Sequence, residues 1–138
     1  MTTMQVRLRS IPDTGATLGW AGAHSVVVDR PEGQDGGAGL GFTGGELLAL
    51  AIGGCFCNDL HHVAAERGIV LGRIAVDVSL RLGGKPLLLV AATLHVEAQS
   101  PTPGADMAAL IAEVQATSTV SNSIARGIPI RIAGEGGA

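Results

Sequence analysis

Apolar and polar residues alternate along the segments before Pro31, which predicts short β-strands over residues 4–11 and 16–29. The turn residues Pro, Asp, Thr and Gly at positions 12–15 separate the two segments. A second break near residues 19–22 divides the later segment into two short strands. Strands joined by such turns predict a β-meander at the start of the chain.

A helix with a defined beginning and end follows a glycine-rich segment. Residues 30–42 contain a proline and many glycines, and we predict a loop there. Thr43 and Glu46 then have capping-box spacing, which predicts a helix from residue 44 to about residue 67, closed by Gly68. The first half of this helix is apolar on nearly all sides, so most of its surface needs cover.

The second half of the chain predicts a hairpin followed by shorter elements. Alternation over residues 69–82 and again over 86–98, with Gly83 and Gly84 between them, is typical of two antiparallel strands. The remaining predictions are a helix over residues 105–117, a helical piece over 120–126 ended by Gly127, a terminal strand over 128–132 and a frayed tail over 134–138. No segment repeats another.

Length and composition limit the class of protein. The 138 residues are 46% hydrophobic, 2% aromatic and 15% charged, with a formal net charge of -3. We expect a single domain over residues 1–138 with a core of Val, Ile, Leu and Ala. Because the chain has no basic stripe and few aromatic residues, we expect no nucleic acid partner.

We also expect no membrane partner and a cytoplasmic location. The longest apolar stretches, residues 47–52 and 86–94, are shorter than the roughly 20 residues that a bilayer requires. Residues 1–9 lack the basic and then apolar pattern of a secretory signal. Cys55 and Cys57 lie too close in sequence for an ordinary structural disulfide, and nothing in the sequence indicates an oxidising compartment.

The residues best suited to chemistry surround these two cysteines. On a helix, Cys55, Asp59 and His62 fall on one face, whereas Cys57 and His61 fall on another. A disulfide between the two thiols would therefore require local unwinding. The carboxylate one turn after Cys55 would disfavour a thiolate there unless the carboxylate were paired.

A metal site is an alternative role for some of these side chains. Cys57 and His61 have good i, i+4 chelate spacing. A closed site needs further ligands, and His24 and His95 are the only histidines outside this segment that could supply them. We expect ordinary polar roles for the histidines, with neither a metal nor a cofactor.

Four segments of the chain form a recognisable combination of motifs. The central segment, Thr-Gly-Gly-Glu-Leu-Leu-Ala-Leu-Ala-Ile-Gly-Gly-Cys, covers residues 43–55. The others are Ala-His-Ser-Val-Val-Val-Asp-Arg-Pro over 23–31, Ala-Ala-Glu-Arg-Gly-Ile over 64–69 and Val-Ser-Asn-Ser-Ile over 120–124. Together they resemble the OsmC/Ohr family, the osmotically inducible protein C and organic hydroperoxide resistance relatives. The resemblance implies an α+β fold in which antiparallel sheets surround a long central helix and two chains intertwine into a homodimer.

The resemblance also implies an activity. The family's peroxidases reduce organic hydroperoxides with a reactive cysteine on the central helix, which corresponds to Cys55. Its thiolate attacks the peroxide and leaves a sulfenic acid that a second thiol reduces. Many members supply this thiol from a Cys-Pro segment, whose positions here hold Ser118 and Thr119. We therefore expect an external or intersubunit thiol reductant, with Cys57 as a possible surrogate.

Hydroperoxide-reducing members hold the thiol ionised with an Arg paired to a Glu. Glu46 matches the Glu of the OsmC branch, and Arg7, Arg9 and Arg30 are the candidates for the Arg. The sequence does not choose among the three arginines. Glu46 also has a purely structural interpretation as the capping partner of Thr43.

The alternative to a peroxidase is a non-catalytic dimeric protein of the same fold that holds a small apolar ligand between its subunits. Cys55 would then be a small buried residue in a tight helix crossing, for which Gly53 and Gly54 leave room. We expect the partner subunit's helix to approach the backbone at these two glycines.

Overall fold

The structure, a computed structural model, describes residues 1–134. Its elements in chain order are β1 (Arg7–Ser10), β2 (Thr17–Ala21), β3 (His24–Val28), α1 (Gly44–Glu66), β4 (Ile74–Gly83), β5 (Leu88–Ala98), α2 (Met107–Thr117) and α3 (Thr119–Arg126). Within the described residues, two antiparallel sheets and three helices make an α+β fold. The chain divides into two compact units, Met1–Leu48 and Ala49–Ala138. Of the predicted tail over residues 134–138, all but Gly134 lies outside the described residues.

The predicted meander forms the sheet of the first unit. β2 lies between β1 and β3 and pairs antiparallel with both, with Arg7 opposite Trp20. The chain turns between β2 and β3 at Gly22, whose φ of +58° is a left-handed conformation that glycine adopts without strain. β1 is shorter than predicted, since residues 4–6 and Ile11 lie outside the pairing.

One carboxylate organises the loop after β3. Asp29 is 6% exposed, and it accepts hydrogen bonds from the backbone N–H groups of Arg30 (2.8 Å), Ala38 (3.1 Å) and Leu40 (3.0 Å). The bond from Leu40 contributes most to holding the pKa of Asp29 below its usual value, although burial acts in the opposite direction. Three backbone N–H groups of the predicted glycine-rich loop thus donate to one buried carboxylate.

Acid is expected to weaken this loop. Asp29 has a folded-state pKa below its ordinary value of 3.8, so its carboxylate stabilises the fold above that value, and this stability is lost as the pH falls through the lower folded-state pKa. Asp29→Asn removes the charge at every pH. We expect its Tm to lie below that of the wild type near neutral pH, and the difference to shrink in acid.

Thermal melts followed by circular dichroism across this pH range measure the difference. Asp35→Asn is the matched control, because Asp35 is a carboxylate of the same loop whose side chain is 83% exposed. A Tm difference for Asp29→Asn that stays constant with pH would contradict the assignment.

β4 and β5 form the predicted antiparallel hairpin in the second unit. β4 begins at Ile74 rather than at residue 69. The residues before it make isolated bonds to the chain after β5, such as Gly72 N–H to the Gln99 carbonyl at 2.7 Å. β4 also continues through Gly83, which places the turn at residues 84–87.

The core of the second unit lies where the second half of α1 and α2 pack on this hairpin. Strand side chains such as Val76 and Leu94 pack against it. Its buried residues are Phe56, Leu60, Val63, Ala64, Leu110 and Val114. This packing fixes the rotation of α1, and with it the direction in which each α1 side chain of this unit points.

Leu60→Ala is expected to destabilise the fold by about 2–5 kcal/mol, because truncation of a fully buried leucine leaves a cavity. Leu60 has an exposed fraction of 0%, whereas Leu87, in the hairpin turn, is 66% exposed. Leu87→Ala removes the same atoms and should change stability by less than about 0.5 kcal/mol. Urea unfolding measures both variants. Equal shifts would show that Leu60 is not a core residue.

The first half of α1 is less covered than its second half. Leu50 is 54% exposed, whereas Phe56 is 3% exposed. At the glycine pair, a Cβ added to Gly53 would lie 3.0 Å from Val78 Cγ2, whereas one added to Gly54 would have nothing within 4 Å. The expectation that a partner helix explains both glycines is wrong for Gly53, whose close neighbour is a strand of the same chain.

By length and composition alone, α1 could cross a membrane, because it joins the apolar stretch at residues 47–52 to further apolar residues in one long helix. The core helix of a soluble protein passes the same test, so this criterion is a weak indicator. Six α1 residues are buried in this chain, namely Ile52, Gly53, Phe56, Leu60, Val63 and Ala64.

A side-chain cap sets the beginning of α2. Asp106 Oδ1 accepts a hydrogen bond from Ala109 N–H at 3.0 Å, so the helix starts at Met107 rather than at the predicted residue 105. α3 ends at Gly127, whose φ is +76°. Both helices otherwise follow their predictions.

The predicted terminal strand over residues 128–132 is wrong. These residues form no strand, and their alternate side chains Ile128, Ile130 and Ile132 are 68%, 90% and 74% exposed. Alternation alone does not make a strand, because a strand also needs a pairing partner, and none of residues 1–134 pairs with this segment.

Candidate functional site

Cys55 lies at the margin of the second unit's core. Its neighbours on α1, Ile52 and Phe56, are 2% and 3% exposed, whereas Cys55 itself is partly buried. Ile52 and Phe56 are four residues apart, so they lie on the same face of α1, and Phe56 packs against the hairpin. Cys55 is therefore positioned by residues that belong to the folded core.

The first polar partner of the Cys55 sulfur is on the same helix. Cys55 Sγ lies 3.6 Å from Asp59 Oδ2, and the thiol donates to the carboxylate. This contact confirms the predicted common face of Cys55 and Asp59. His62 lies further along the helix and pairs with Glu66, with 3.3 Å between Nε2 and Oε1.

The second polar partner comes from the junction of α2 and α3. Ser118 ends α2, precedes α3 and has an exposed fraction of 0%. Its hydroxyl donates to Cys55 Sγ at 3.8 Å. Ser118 is the N-cap residue of α3, but its side chain makes no capping hydrogen bond. Asn122 stabilises the junction by donating from Nδ2 to the Ser118 carbonyl at 2.7 Å.

These contacts give the sulfur one acceptor and one donor. The Asp59 carboxylate can accept the thiol proton, and the Ser118 hydroxyl can donate to a sulfur anion or to an oxygen bound to sulfur. Within residues 49–134, no arginine donates a hydrogen bond to Cys55. The arrangement can thus support proton transfer at a cysteine thiol without a cation from this unit.

Glu46 performs its structural role at the start of α1. Thr43 N–H donates to Glu46 Oε1 at 2.9 Å, and Glu46 N–H donates to Thr43 Oγ1 at 3.1 Å. The predicted capping box is therefore present. One carboxylate oxygen of Glu46 serves this cap.

The three candidate arginines have local partners in the first unit or lie in its sheet. The Arg9 guanidinium is 5.8 Å from the centre of the Trp20 ring. Arg30 Nη1 lies 3.6 Å from Asp35 Oδ2, and both side chains are mostly exposed. Arg7 is an exposed residue of β1.

Cys57 and His61 do not form part of a larger cluster. Both cysteines are free thiols, and Cys57 follows Cys55 by two positions on a continuous helix, so the two side chains point in different directions. Within residues 1–134, no three His, Cys, Asp or Glu side chains are grouped to hold a metal ion. His24 lies in β3 and His95 in β5.

A largely apolar cavity of about 680 Å³ adjoins this part of α1. Its walls come from α1, β5, α2 and α3, and Ile52 and Phe56 contribute from the helix that carries Cys55. The Ser121 hydroxyl oxygen, on the α3 wall, is buried and has no hydrogen-bond partner among the described residues. The remaining lining is residues 89–94, Val96, Ile111, Gln115, Asn122, Ile124 and Ala125.

Periodicity alone did not reveal the Ser118 contact or the cavity. Both arise where residues distant in sequence meet, and the resemblance was the only signal that singled out position 118. The Asp59 contact, by contrast, follows directly from i, i+4 spacing.

The family model described as OsmC-like protein matches residues 35–133 of the chain. A search of curated proteins gives no match.

Solved structures of similar fold include three from bacteria. An OsmC-like protein of unknown function from Vibrio cholerae has a TM-score of 0.79 and 9% identity, with 89% of this chain and 94% of that chain covered. The organic hydroperoxide resistance protein OsmC from Legionella pneumophila has a TM-score of 0.67 and 22% identity, with 90% of each chain covered. The organic hydroperoxide resistance protein OhrB of Bacillus subtilis has a TM-score of 0.59 and 22% identity, covering 88% and 90%. At these identities the likeness is one of fold.

Proposed function

Because the chain belongs to the OsmC-like protein family, we propose that it is a thiol-dependent peroxidase that reduces organic hydroperoxides through Cys55. The observation that carries this proposal is the environment of the Cys55 sulfur, which has a carboxylate acceptor at 3.6 Å and a buried hydroxyl donor at 3.8 Å. Two relatives of the same fold are described as organic hydroperoxide resistance proteins.

In the proposed reaction, the Cys55 sulfur attacks the terminal oxygen of the hydroperoxide. The O–O bond breaks, an alcohol leaves, and Cys55 becomes a sulfenic acid. Two thiol groups of an external dithiol then restore the Cys55 thiol, releasing water and a disulfide. An external or intersubunit reductant is needed because Ser118, beside the sulfur, supplies a hydroxyl in place of a second thiol.

The cavity supports an organic substrate. Its walls are mainly aliphatic side chains of β5 and the three helices, so an apolar substituent would be transferred from water into a similar environment. Burial of such a substituent would favour organic hydroperoxides over hydrogen peroxide.

We propose that Glu46 and an arginine assist the thiol. Glu46 has one carboxylate oxygen in the capping box, which leaves the other available to a guanidinium. Arg7, Arg9 and Arg30 remain the candidates for that guanidinium, and Cys57 remains a candidate for the reducing thiol of a second subunit.

We further propose that two chains form an intertwined homodimer and that residues 1–138 make a single OsmC-like domain. Apolar side chains on several elements are exposed in the isolated chain, including Leu18, Leu50, Val90 and Ile130. The interface of an obligate dimer would bury such side chains. Light scattering would give twice the chain mass of 13.9 kDa if the dimer forms.

The proposed setting is the cytoplasm, where a dithiol reductant is available and the free thiols of Cys55 and Cys57 stay reduced. The reaction requires no metal and no cofactor, since the oxidised and reduced atoms are sulfur and the peroxide oxygens.

The test is consumption of cumene hydroperoxide by the purified protein with dihydrolipoamide as reductant. We expect turnover that saturates with hydroperoxide and exceeds turnover of hydrogen peroxide. A protein that consumes no hydroperoxide with any dithiol, and whose Cys55 is not converted to a sulfenic acid, would overturn the proposal.

The cavity also favours a second candidate function, a non-catalytic protein that holds a small apolar ligand. Native mass spectrometry of the freshly purified protein distinguishes the two. A bound apolar molecule in a protein without turnover would support the second candidate, whereas a ligand-free protein with robust turnover would exclude it.

A further inference from the structure

We propose that Asp59 is the catalytic residue that takes the proton from the Cys55 thiol and delivers it to the departing alkoxide. This inference rests on the proposed function, since it assigns the proton transfer within the same reaction. Two observations support it. Cys55 Sγ and Asp59 Oδ2 are 3.6 Å apart, and within residues 49–134 the Asp59 carboxylate has no other side-chain hydrogen bond.

Asp59 has no evident structural role. It lies within α1, far from either end, so it caps no helix terminus. Within residues 49–134 it forms no ion pair, and its one side-chain hydrogen bond is to Cys55. Asp59 is partly buried, and within residues 49–134 no cation pairs with its carboxylate.

The position of Asp59 is also well defined. Residues four apart on a helix face each other, so the contact does not depend on a flexible loop. Buried residues on the same helix, Phe56 and Leu60, hold α1 on the hairpin and α2. The carboxylate is therefore kept beside the sulfur by both helix geometry and core packing.

Ser118 completes the arrangement on the other side of the sulfur. When the thiol proton moves to Asp59, the sulfur becomes an anion, and the Ser118 hydroxyl donates to it at 3.8 Å. Because Asp59 is a neutral carboxylic acid once it holds the proton, the sulfur anion then faces no charged carboxylate. One residue thus moves the proton, while the other stabilises the charge left behind.

The proposed step balances in atoms and electrons. The thiol proton passes to Asp59, and Cys55 Sγ attacks the terminal oxygen of the hydroperoxide. An S–O bond forms, the O–O bond breaks, and the alkoxide takes the proton from Asp59. Cys55 is oxidised by two electrons to the sulfenic acid, the hydroperoxide is reduced by two electrons to the alcohol, and Asp59 ends as the carboxylate it was.

The experiment compares two reactions of Cys55 in the full-length Asp59→Asn variant. Both reactions need the Cys55 thiol proton to be removed, but only single-turnover oxidation by cumene hydroperoxide also needs a proton delivered to an alkoxide, because alkylation by iodoacetamide releases iodide. We expect oxidation to slow by about 100-fold, the order of magnitude of a general acid-base contribution, and alkylation to slow by a smaller factor. Asn is nearly isosteric with Asp but cannot carry the proton.

Glu66→Gln is the matched control, because it removes the same charge from the exposed end of α1, where Glu66 pairs with His62. We expect both of its rates to match those of the wild type. Oxidation of Asp59→Asn within threefold of the wild-type rate would overturn the role of Asp59. Equal slowing of oxidation and alkylation would also overturn the proposed role, because it would leave no effect specific to proton delivery to the alkoxide.

The outcome for the wild type separates this inference from the proposed function. If wild-type Cys55 is not oxidised by cumene hydroperoxide, the peroxidase proposal fails, and the role of Asp59 fails with it. If the wild type is oxidised and Asp59→Asn is oxidised equally fast, only the role of Asp59 fails.

Discussion

Cys55→Ser is expected to abolish hydroperoxide consumption, reducing it to the uncatalysed background. The serine hydroxyl is a far weaker nucleophile than a thiol and cannot form a sulfenic acid, so no covalent step replaces the lost one. Removal of a nucleophile in other enzymes costs factors on the order of 10⁶ in turnover, which makes this the largest effect that we expect. Cumene hydroperoxide consumption with a dithiol measures it.

Cys57→Ser is the informative comparison, because it removes the other thiol from the same helix. We expect it to retain single-turnover peroxide reduction, since Cys55 and its two polar partners are unchanged. The opposite result, with loss of reaction in Cys57→Ser and retention in Cys55→Ser, would reverse the assignment of the reactive thiol.

Ser118→Cys is expected to introduce a redox-active pair with Cys55. The Ser118 hydroxyl oxygen lies 3.8 Å from Cys55 Sγ, so a thiol at position 118 would be adjacent to a sulfenic acid at Cys55. Condensation of the two groups releases water and forms a disulfide. One equivalent of hydroperoxide should therefore convert the reduced variant to an intramolecular disulfide, detected by mass spectrometry and by loss of both free thiols.

The disulfide should also stabilise the oxidised variant. It would join residues 63 positions apart, for which the chain-entropy relation gives about 4 kcal/mol before any strain in the folded state. We expect the oxidised variant to unfold at a higher urea concentration than the same variant reduced with dithiothreitol. The large separation in sequence is the reason for the size of this effect.

Ser121→Cys is the matched control for this variant. It adds a thiol to α3 at a serine whose hydroxyl makes no contact with Cys55. We expect no intramolecular disulfide with Cys55 after one equivalent of hydroperoxide. Equal disulfide formation in both variants would show that α3 moves enough for either position to reach Cys55. The 3.8 Å contact of Ser118 would then not explain the disulfide.

Features encoded locally were predictable from the sequence. The capping spacing of Thr43 and Glu46 and the glycine at position 68 gave the bounds of α1 to within one residue. The alternation that ends at Gly83 correctly predicted the hairpin. The contact between Cys55 and Asp59 followed from the helical repeat alone. The helix contacts join groups within four residues of each other, and the hairpin joins two strands that follow one another in the chain, so a continuous stretch of sequence contains each interaction.

Features that depend on distant residues were not predictable in this way. Ser118 has the sequence character of a helix cap, yet its hydroxyl is directed to a sulfur from another helix. β4 begins at Ile74 rather than at residue 69, and the residues just before it bond to the chain after β5 without continuing the strand. Alternation over residues 128–132 predicted a strand, but the segment has no pairing partner among residues 1–134 and its isoleucines are exposed. Periodicity describes what a segment can bury, whereas tertiary packing decides what buries it.

The two partners of the Cys55 sulfur lie at very different distances along the chain. Asp59 is four residues away, so that contact exists wherever α1 is helical. Ser118 is 63 residues away, and its contact exists only while the α2–α3 junction is in place. Opening of that junction is a local event that costs less free energy than unfolding of the whole core. It would leave the sulfur with its carboxylate and without its hydroxyl, so the chemical state of this thiol is coupled to the local stability of a junction between two helices.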